Sequence, residues 1–210
     1  ATVRQTILAV GTGPLTLPDA FYSDSISITR RGEGAHTLAI SGRAKVDPTP
    51  QFVRFNRQFI PMFRKRWKKV SPGGLHGFRA GHETVSRWRL DRPTPMEAMR
   101  ILDPVADPTT VRLTLKRAGK LVPALADVPM VASWAGFVDS TPDGVPVMGE
   151  VPGIPGLILA AGFSGHGFGI GPGAGHLVAD IATGQEPIVD PRPYRLSRFS
   201  PGETIDVSEF

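Results

Sequence analysis

Seven of the fourteen residues from Gly162 to Gly175 are glycine, and they lie between an apolar run, Leu157 to Ala161, and a helix-like stretch from His176 to Thr183. Glycine inside a regular element costs ~0.5–1 kcal/mol relative to alanine. Such density therefore implies a backbone that turns tightly or lets a flat or charged ligand approach closely. A helix starting just after it adds unpaired N–H groups and a partial positive charge at its N-terminus. That end suits a phosphate, a carboxylate or the electron-rich edge of a heterocyclic ring.

Three readings of this segment compete. Gly169-Ile170-Gly171-Pro172-Gly173-Ala174 fits a loose G-x-G-x-x-A dinucleotide pattern, but only 36 residues follow it and they cannot build a second βαβ unit. Gly11-Thr12-Gly13 follows a strand but lacks the third glycine and a helical continuation. Gly162-Phe163-Ser164-Gly165-His166 approaches the G-x-S-x-G nucleophile elbow, with histidine where the last glycine belongs. The third reading is a loop that contacts a flavin ring.

Composition narrows the classes. The chain has no cysteine, which excludes disulfides, thiolate catalysis and thiolate metal sites and is compatible with a cytoplasmic location. His36, His76, His82 and His176 show no metal-ligand spacing, so no metal is expected. The excess of 24 Lys and Arg over 19 Asp and Glu is diffuse. Its one dense cluster, Arg64-Lys65-Arg66-Trp67-Lys68-Lys69, reads as the solvated end of a helix, and no nucleic-acid partner is expected. No run is long enough to span a membrane. The opening Ala1-Thr2-Val3-Arg4-Gln5 carries no signal-peptide pattern and reads as the middle of a strand, as though the chain starts inside a larger protein.

Val3 to Val10 alternates and is read as a strand. Ser25 to Thr29 and His36 to Ile40 flank Gly32-Glu33-Gly34 as a hairpin. From Asp47 the period shifts. Phe52, Phe55, Phe59, Met62 or Phe63 and Trp67 form a helical apolar stripe assigned to core, which Pro61 should kink or interrupt. Thr94-Pro95-Met96-Glu97 is a capping box that predicts a helix to about Asp103. Asp107-Pro108 opens another helix, with Val111, Leu115, Ala118, Val122 and Leu125 on one face and Pro123 near its end. Met130 to Trp134 and Leu157 to Ala161 read as buried strands, with Val145 to Met148 a short strand between them. Thr141-Pro142-Asp143-Gly144 is a turn that Asp143 caps. A helix from His176 to Thr183 ends at Gly184, and the last 26 residues read as an extended surface tail.

Three blocks carry a resemblance: Trp134-Ala135-Gly136-Phe137, then Thr141-Pro142-Asp143-Gly144-Val145-Pro146-Val147-Met148-Gly149, then Gly162-Phe163-Ser164-Gly165-His166-Gly167-Phe168. In order and spacing, and with the closing Asp190 and Arg198-Phe199, they resemble the C-terminal signature of the D-amino-acid-oxidase-like flavoprotein superfamily. Its members include sarcosine oxidase, glycine oxidase, dimethylglycine dehydrogenase and D-amino-acid dehydrogenase. The resemblance implies an α+β fold: a mostly antiparallel substrate-domain sheet with flanking helices, plus a C-terminal strand and helix that complete an FAD-binding domain. It implies a substrate-binding portion over 1–135 and a return segment over 136–210, with the N-terminal dinucleotide-binding segment absent. On that reading the chain is a fragment, inactive alone, that needs the missing segment or a partner chain to hold FAD. The implied activity is oxidation of the C–N bond of an amine or amino acid to an imine by hydride transfer to flavin. The rival expectation is a non-catalytic binding or assembly module.

The resemblance also assigns residues. Gly136, Gly162, Phe163, Ser164, Gly165, His166, Gly167, Phe168, Gly169 and Ile170 are expected at the cofactor, with His166 hydrogen-bonding near the flavin as the catalytic candidate. Gly136 stands where sarcosine-oxidase relatives carry the cysteine that attaches flavin covalently, so that linkage cannot form. Val138 stands where glycine and D-amino-acid oxidases place the arginine that clamps the substrate carboxylate, and Gly169 where sarcosine oxidases place a lysine. A carboxylate substrate therefore needs another donor, for which Arg79, Arg87 and Arg89 are candidates.

Overall fold

The computed structural model describes residues 2–41, 44–74, 86–89 and 91–208. Its centre is a seven-stranded sheet. β1 (Thr2–Gly11) pairs along one edge with β7 (Met130–Asp139). Its other edge pairs first with β5 (Ala44–Val46) and then with β4 (Ala35–Ile40). Outward from β4 follow β3 (Ile26–Arg30) and β2 (Ala20–Tyr22), and outward from β5 lies β6 (Val70–Pro72). Every pairing is antiparallel except β5 with β6. The expected α+β architecture with a mostly antiparallel sheet is what forms.

Strand alternation sends the two faces of this sheet to different tasks. Even-numbered residues of β1 point one way, so that Leu8 and Val10 are buried with Ile26, Ile28 and Leu38. α3 (Pro108–Leu121) covers that face with Val111 and Ala118, and Leu125 follows in a short 3-10 turn. This is the apolar helix face read from the sequence. Each valine, leucine or isoleucine among them contributes ~1.5–3 kcal/mol on full burial. Asp107 caps the helix by accepting from the Thr110 amide at 2.8 Å and the Thr110 hydroxyl at 2.6 Å. Burial pushes the Asp107 carboxyl up. The Thr110 hydrogen bonds, with Lys45 and Arg4 nearby, outweigh it and hold the group below the usual carboxylate range.

Several expectations need correction. α1 (Pro50–Arg66) runs through Pro61 without interruption, since one missing amide removes one hydrogen bond from a helix already capped at Thr49. Its aromatic stripe is not core: only Phe59 is buried, Phe55 is exposed and Trp67 is 65% exposed. The capping box at Thr94 and Glu97 is present, yet α2 (Pro95–Ala98) stops well before Asp103 because it buries no side chain that would extend it. β7 is ten residues long and mostly exposed, not a short buried strand, because β1 is its only neighbour among the described residues.

β8 (Val147–Glu150) and β9 (Ile158–Ala161) form a separate hairpin-like pair. β9 is only half-buried, since it pairs with β8 alone among the described residues. α4 (Gly167–Thr183) packs Ala174 and Leu177 on Met148 and ends at Gly184 in the left-handed conformation. It begins nine residues earlier than the periodicity predicts, so the second half of the glycine segment is helical. Propensity is overridden there: Gly169, Gly171, Gly173 and Gly175 sit in a helix although each is a poor helix former.

The C-terminal tail is not merely extended on the surface. It forms two 3-10 turns, Arg192–Tyr194 and Leu196–Phe199, and buries Val207. Arg198 makes a paired contact with Asp143, Nε donating to Oδ2 at 2.7 Å and Nη2 to Oδ1 at 3.3 Å, and also donates to the Val145 carbonyl at 2.6 Å. The basic end of α1 is likewise more than a solvated surface, since Lys65 donates to the Val207 carbonyl at 2.8 Å and Arg66 to the Ser208 carbonyl at 3.2 Å.

Candidate functional site

The second face of the sheet is the floor of a cleft of about 480 Å³. Register explains which residues reach it. Val3 lies opposite both Val46 and Val138, Gln5 opposite Gly136, and Ala44 opposite Val70, so all of these share one face. Val3, Gln5, Ala44, Val46, Val70 and Val138 line the floor, and α1 supplies Phe59, Met62 and Phe63 as a wall. The helical aromatic stripe thus packs around a space. The remaining wall is Ser164, Gly165 and His166 of the glycine segment.

That wall is stitched to the end of β7. Ser140 and Phe163 form an isolated bridge, the Ser164 amide donates to the Asp139 carbonyl at 2.9 Å, and the Gly162 amide to Asp139 Oδ2 at 3.1 Å. Ser164 Oγ donates to the Gly162 carbonyl at 3.1 Å and accepts from the Thr141 amide at 3.2 Å. These bonds hold Ser164 at φ 53°, the sole non-glycine with positive φ among the described residues. Such conformations persist where surrounding contacts over-determine them, and they concentrate at ligand-binding sites. Gly162 is required outright. Its φ is 73°, and a Cβ there would collide with Thr141 Cγ2.

Asp143 does more than cap its turn. It accepts from the Val145 amide at 3.0 Å, and its ion pair with Arg198 anchors the tail beneath the loop. Sequence pattern gives Asp143 no partner. It marks the closing Arg198 as part of a pattern, but not as the partner of a residue 55 positions away.

Beyond the stitched turn the chain opens outward. The N-cap of α4 is His166, whose side chain makes no capping hydrogen bond to the helix. Phe168 is fully exposed and Ile170 is 41% exposed. A Cβ placed on Gly169, Gly171, Gly173 or Gly175 would meet nothing within 4 Å. An exposed apolar and glycine surface beside a helix N-terminus is a poor solvent face and a good bed for a flat ring bearing negative charge.

Of the residues expected at the cofactor, Gly162 to Ile170 are contiguous here, and Gly136 lies in β7, where a Cβ would meet nothing within 4 Å. Val138 lines the cleft together with His166. Arg87 and Arg89 do not line it. Both are exposed, and Arg89 pairs with Asp91 through contacts of 2.9 and 2.6 Å. Arg79, like His76 and His82, lies outside the described residues. Two cations of the basic cluster, Arg66 and Lys69, border the cleft and are not simply a solvated helix end. Their helical spacing to Phe59, Met62 and Phe63 is the available sequence signal. No cluster of three or more metal-ligating side chains occurs among the described residues. No helix among them is long and apolar enough to cross a membrane.

An antiparallel sheet with a cleft on one face, closed by a glycine turn that runs into a helix, defines a class of ligand-binding fold open to a flat ring. The chain belongs to the DAO family, described as FAD dependent oxidoreductase, whose profile matches residues 1–181. Glycine oxidase of Pseudomonas aeruginosa is 46% identical over 77 residues, which is 37% of this chain and 21% of that protein. N-methyl-L-tryptophan oxidase of Salmonella typhi is 42% identical over 62 residues, 30% of this chain and 17% of that protein. Among solved structures, L-amino acid deaminase from Proteus myxofaciens superposes with a TM-score of 0.83 at 23% identity, over 95% of this chain and 44% of that one. Glycine oxidase from Geobacillus kaustophilus superposes with a TM-score of 0.61 at 23% identity, over 94% of this chain and 39% of that one. The match thus spans about a fifth of the curated relatives and under half of the solved chains. The resemblance carried by the three sequence blocks is the family relationship found.

Proposed function

We propose that this chain supplies the substrate cleft and one wall of the flavin site in an FAD-dependent oxidoreductase that oxidises the C–N bond of an amine or amino acid. The observation that carries the reading is the shared cleft: the sheet face bearing Gly136 and Val138 meets the glycine turn at Ser164, Gly165 and His166. FAD, held along Gly162 to Ile170, would supply the two-electron acceptor for this oxidation.

The residues present fit that cofactor. Gly162 to Ile170 offer backbone amides and an open surface to a ring, and the positive end of α4 favours negative charge on it. The substrate loses a hydride from carbon and a proton from nitrogen, giving an imine that water hydrolyses. The chain's own task is to hold the C–H bond toward the ring and to exclude water. The valine floor and the Phe59, Met62 and Phe63 wall do the second. His166, on the cleft wall beside the turn, is proposed to hydrogen-bond at the reacting centre. The division at 135/136 is kept as part of this proposal, with β7 running through it as the shared strand.

The test is optical. The full-length protein purified in buffer should be yellow and should bleach anaerobically with an amine or amino acid, while the 210-residue chain alone should be colourless. A full-length protein that retains no FAD overturns the reading and leaves a binding or assembly module.

A further inference from the structure

Val138 puts an uncharged side chain on the floor of the cleft, yet the cleft is not neutral. Arg66 and Lys69 border it, at and just past the C-terminal end of α1, and no Asp or Glu is among the described residues that line it. Two cations at the edge of an otherwise apolar space, with no carboxylate in its lining, set up a field that a substrate anion would neutralise. Arg66 is half-buried and already spends one donor on the Ser208 carbonyl. Lys69 is exposed and makes no hydrogen bond or ion pair among the described residues, although Asp24 borders the neighbouring polar cleft that it also lines. Its three ammonium donors are available to a ligand.

We infer that this site takes an α-amino acid with a bulky apolar side chain, and that its carboxylate is held from the end of α1 by Lys69, with Arg66 beside it, instead of from β7. The inference rests on the amine-oxidising reading above and names its substrate class. A cleft of about 480 Å³ far exceeds the needs of glycine. Its apolar lining of Phe59, Met62, Phe63, Val46 and Val138 suits a hydrocarbon or aromatic side chain. Val138 brings apolar surface and no charge to the floor, which leaves the anchoring of an anion to Arg66 and Lys69 at the rim.

The experiment uses the FAD-loaded full-length protein and two redox-inert probes, 3-phenylpropionate and its neutral amide, titrated by calorimetry. The acid is expected to bind at least tenfold more tightly than the amide. Lys69→Met should remove most of that preference without weakening the amide, Lys69→Arg should restore it, and Arg66→Met should reduce it. In turnover, Lys69→Met should raise KM for phenylalanine about tenfold or more with kcat within severalfold, and should leave 2-phenylethylamine unchanged. Equal binding of acid and amide by the unaltered protein, binding of neither, or a preference that survives the Lys69→Met, Arg66→Met double variant overturns the inference. Intact acid preference without flavin bleaching by any amine instead sinks the proposed reaction and leaves the anchor standing.

Discussion

The sheet half and the glycine-rich return half of this molecule differ in what they bury. The sheet half closes its even face with α3, and Leu8, Val10, Ile26, Ile28, Leu38, Val111, Ala118 and Leu125 form one core. The return half buries Met148, Ala174 and Leu177, and leaves Phe168, Ile170 and a run of helical glycines open. One half is stabilised by its own hydrophobic contacts. The other is held by a turn stitched to β7 and by an ion pair to the tail, with its free surface facing outward. Surface that is apolar and unfilled in this way is suited to a ligand or to another part of a larger protein.

The contrast can be broken at its two anchors. Asp143→Ala leaves Arg198 largely buried without its partner, and losing one member of such a pair costs ~3–5 kcal/mol. Hydrogen exchange should show the loss in β8, β9 and the tail, while the α3 core keeps its protection; uniform loss would mean that the halves unfold as one. Leu38→Ala in the sheet core should cost ~2–5 kcal/mol by denaturant unfolding. There the expected locus is reversed, with protection lost across β1, β3 and β4.

Smaller effects sharpen the comparison. Asp107→Ala removes the α3 cap and should cost ~0.5–2 kcal/mol near neutral pH. The Asp107 carboxyl is held below its ordinary value in the folded state, so its stabilisation is present above the unfolded pKa, ~3.9 for Asp, and fades as pH falls through the folded one. Unfolding curves of the two proteins should therefore converge in acid and separate above it. Gly169→Ala should have the opposite sign in stability. A methyl group there meets nothing within 4 Å and relieves a helical glycine, so the isolated chain should gain ~0.5–1 kcal/mol. The full-length protein should at the same time hold FAD less tightly, and unchanged FAD retention would move the ring away from this turn of α4.

Much of the sheet half was legible because its residues follow local rules. The alternation of β1, the glycine turn between β3 and β4, the capping box at Thr94 and the apolar face that runs from α3 into the turn after it each need only neighbours in sequence. The return half was harder. Nothing local distinguishes Gly169 to Gly175 in a loop from the same glycines in a helix, and α4 took the helical form through packing of Ala174 and Leu177 on Met148. The aromatic stripe of α1 illustrates the same limit. Its period announced an apolar face, but not whether that face would meet side chains or border a cleft.

By itself the sequence determined the family, the glycine-dense segment and the absence of cysteine chemistry in this chain, since these rest on residue identity and order. Tertiary structure alone decided the pairing of Asp143 with Arg198 and the gathering of Val3, Gln5, Gly136 and Val138 on one face. It also decided that Arg66 and Lys69 border the cleft while Arg87 and Arg89 do not. The reason is physical. Strand register and helix packing bring together groups far apart in the chain, and no local preference encodes which of two faces will be covered and which left open.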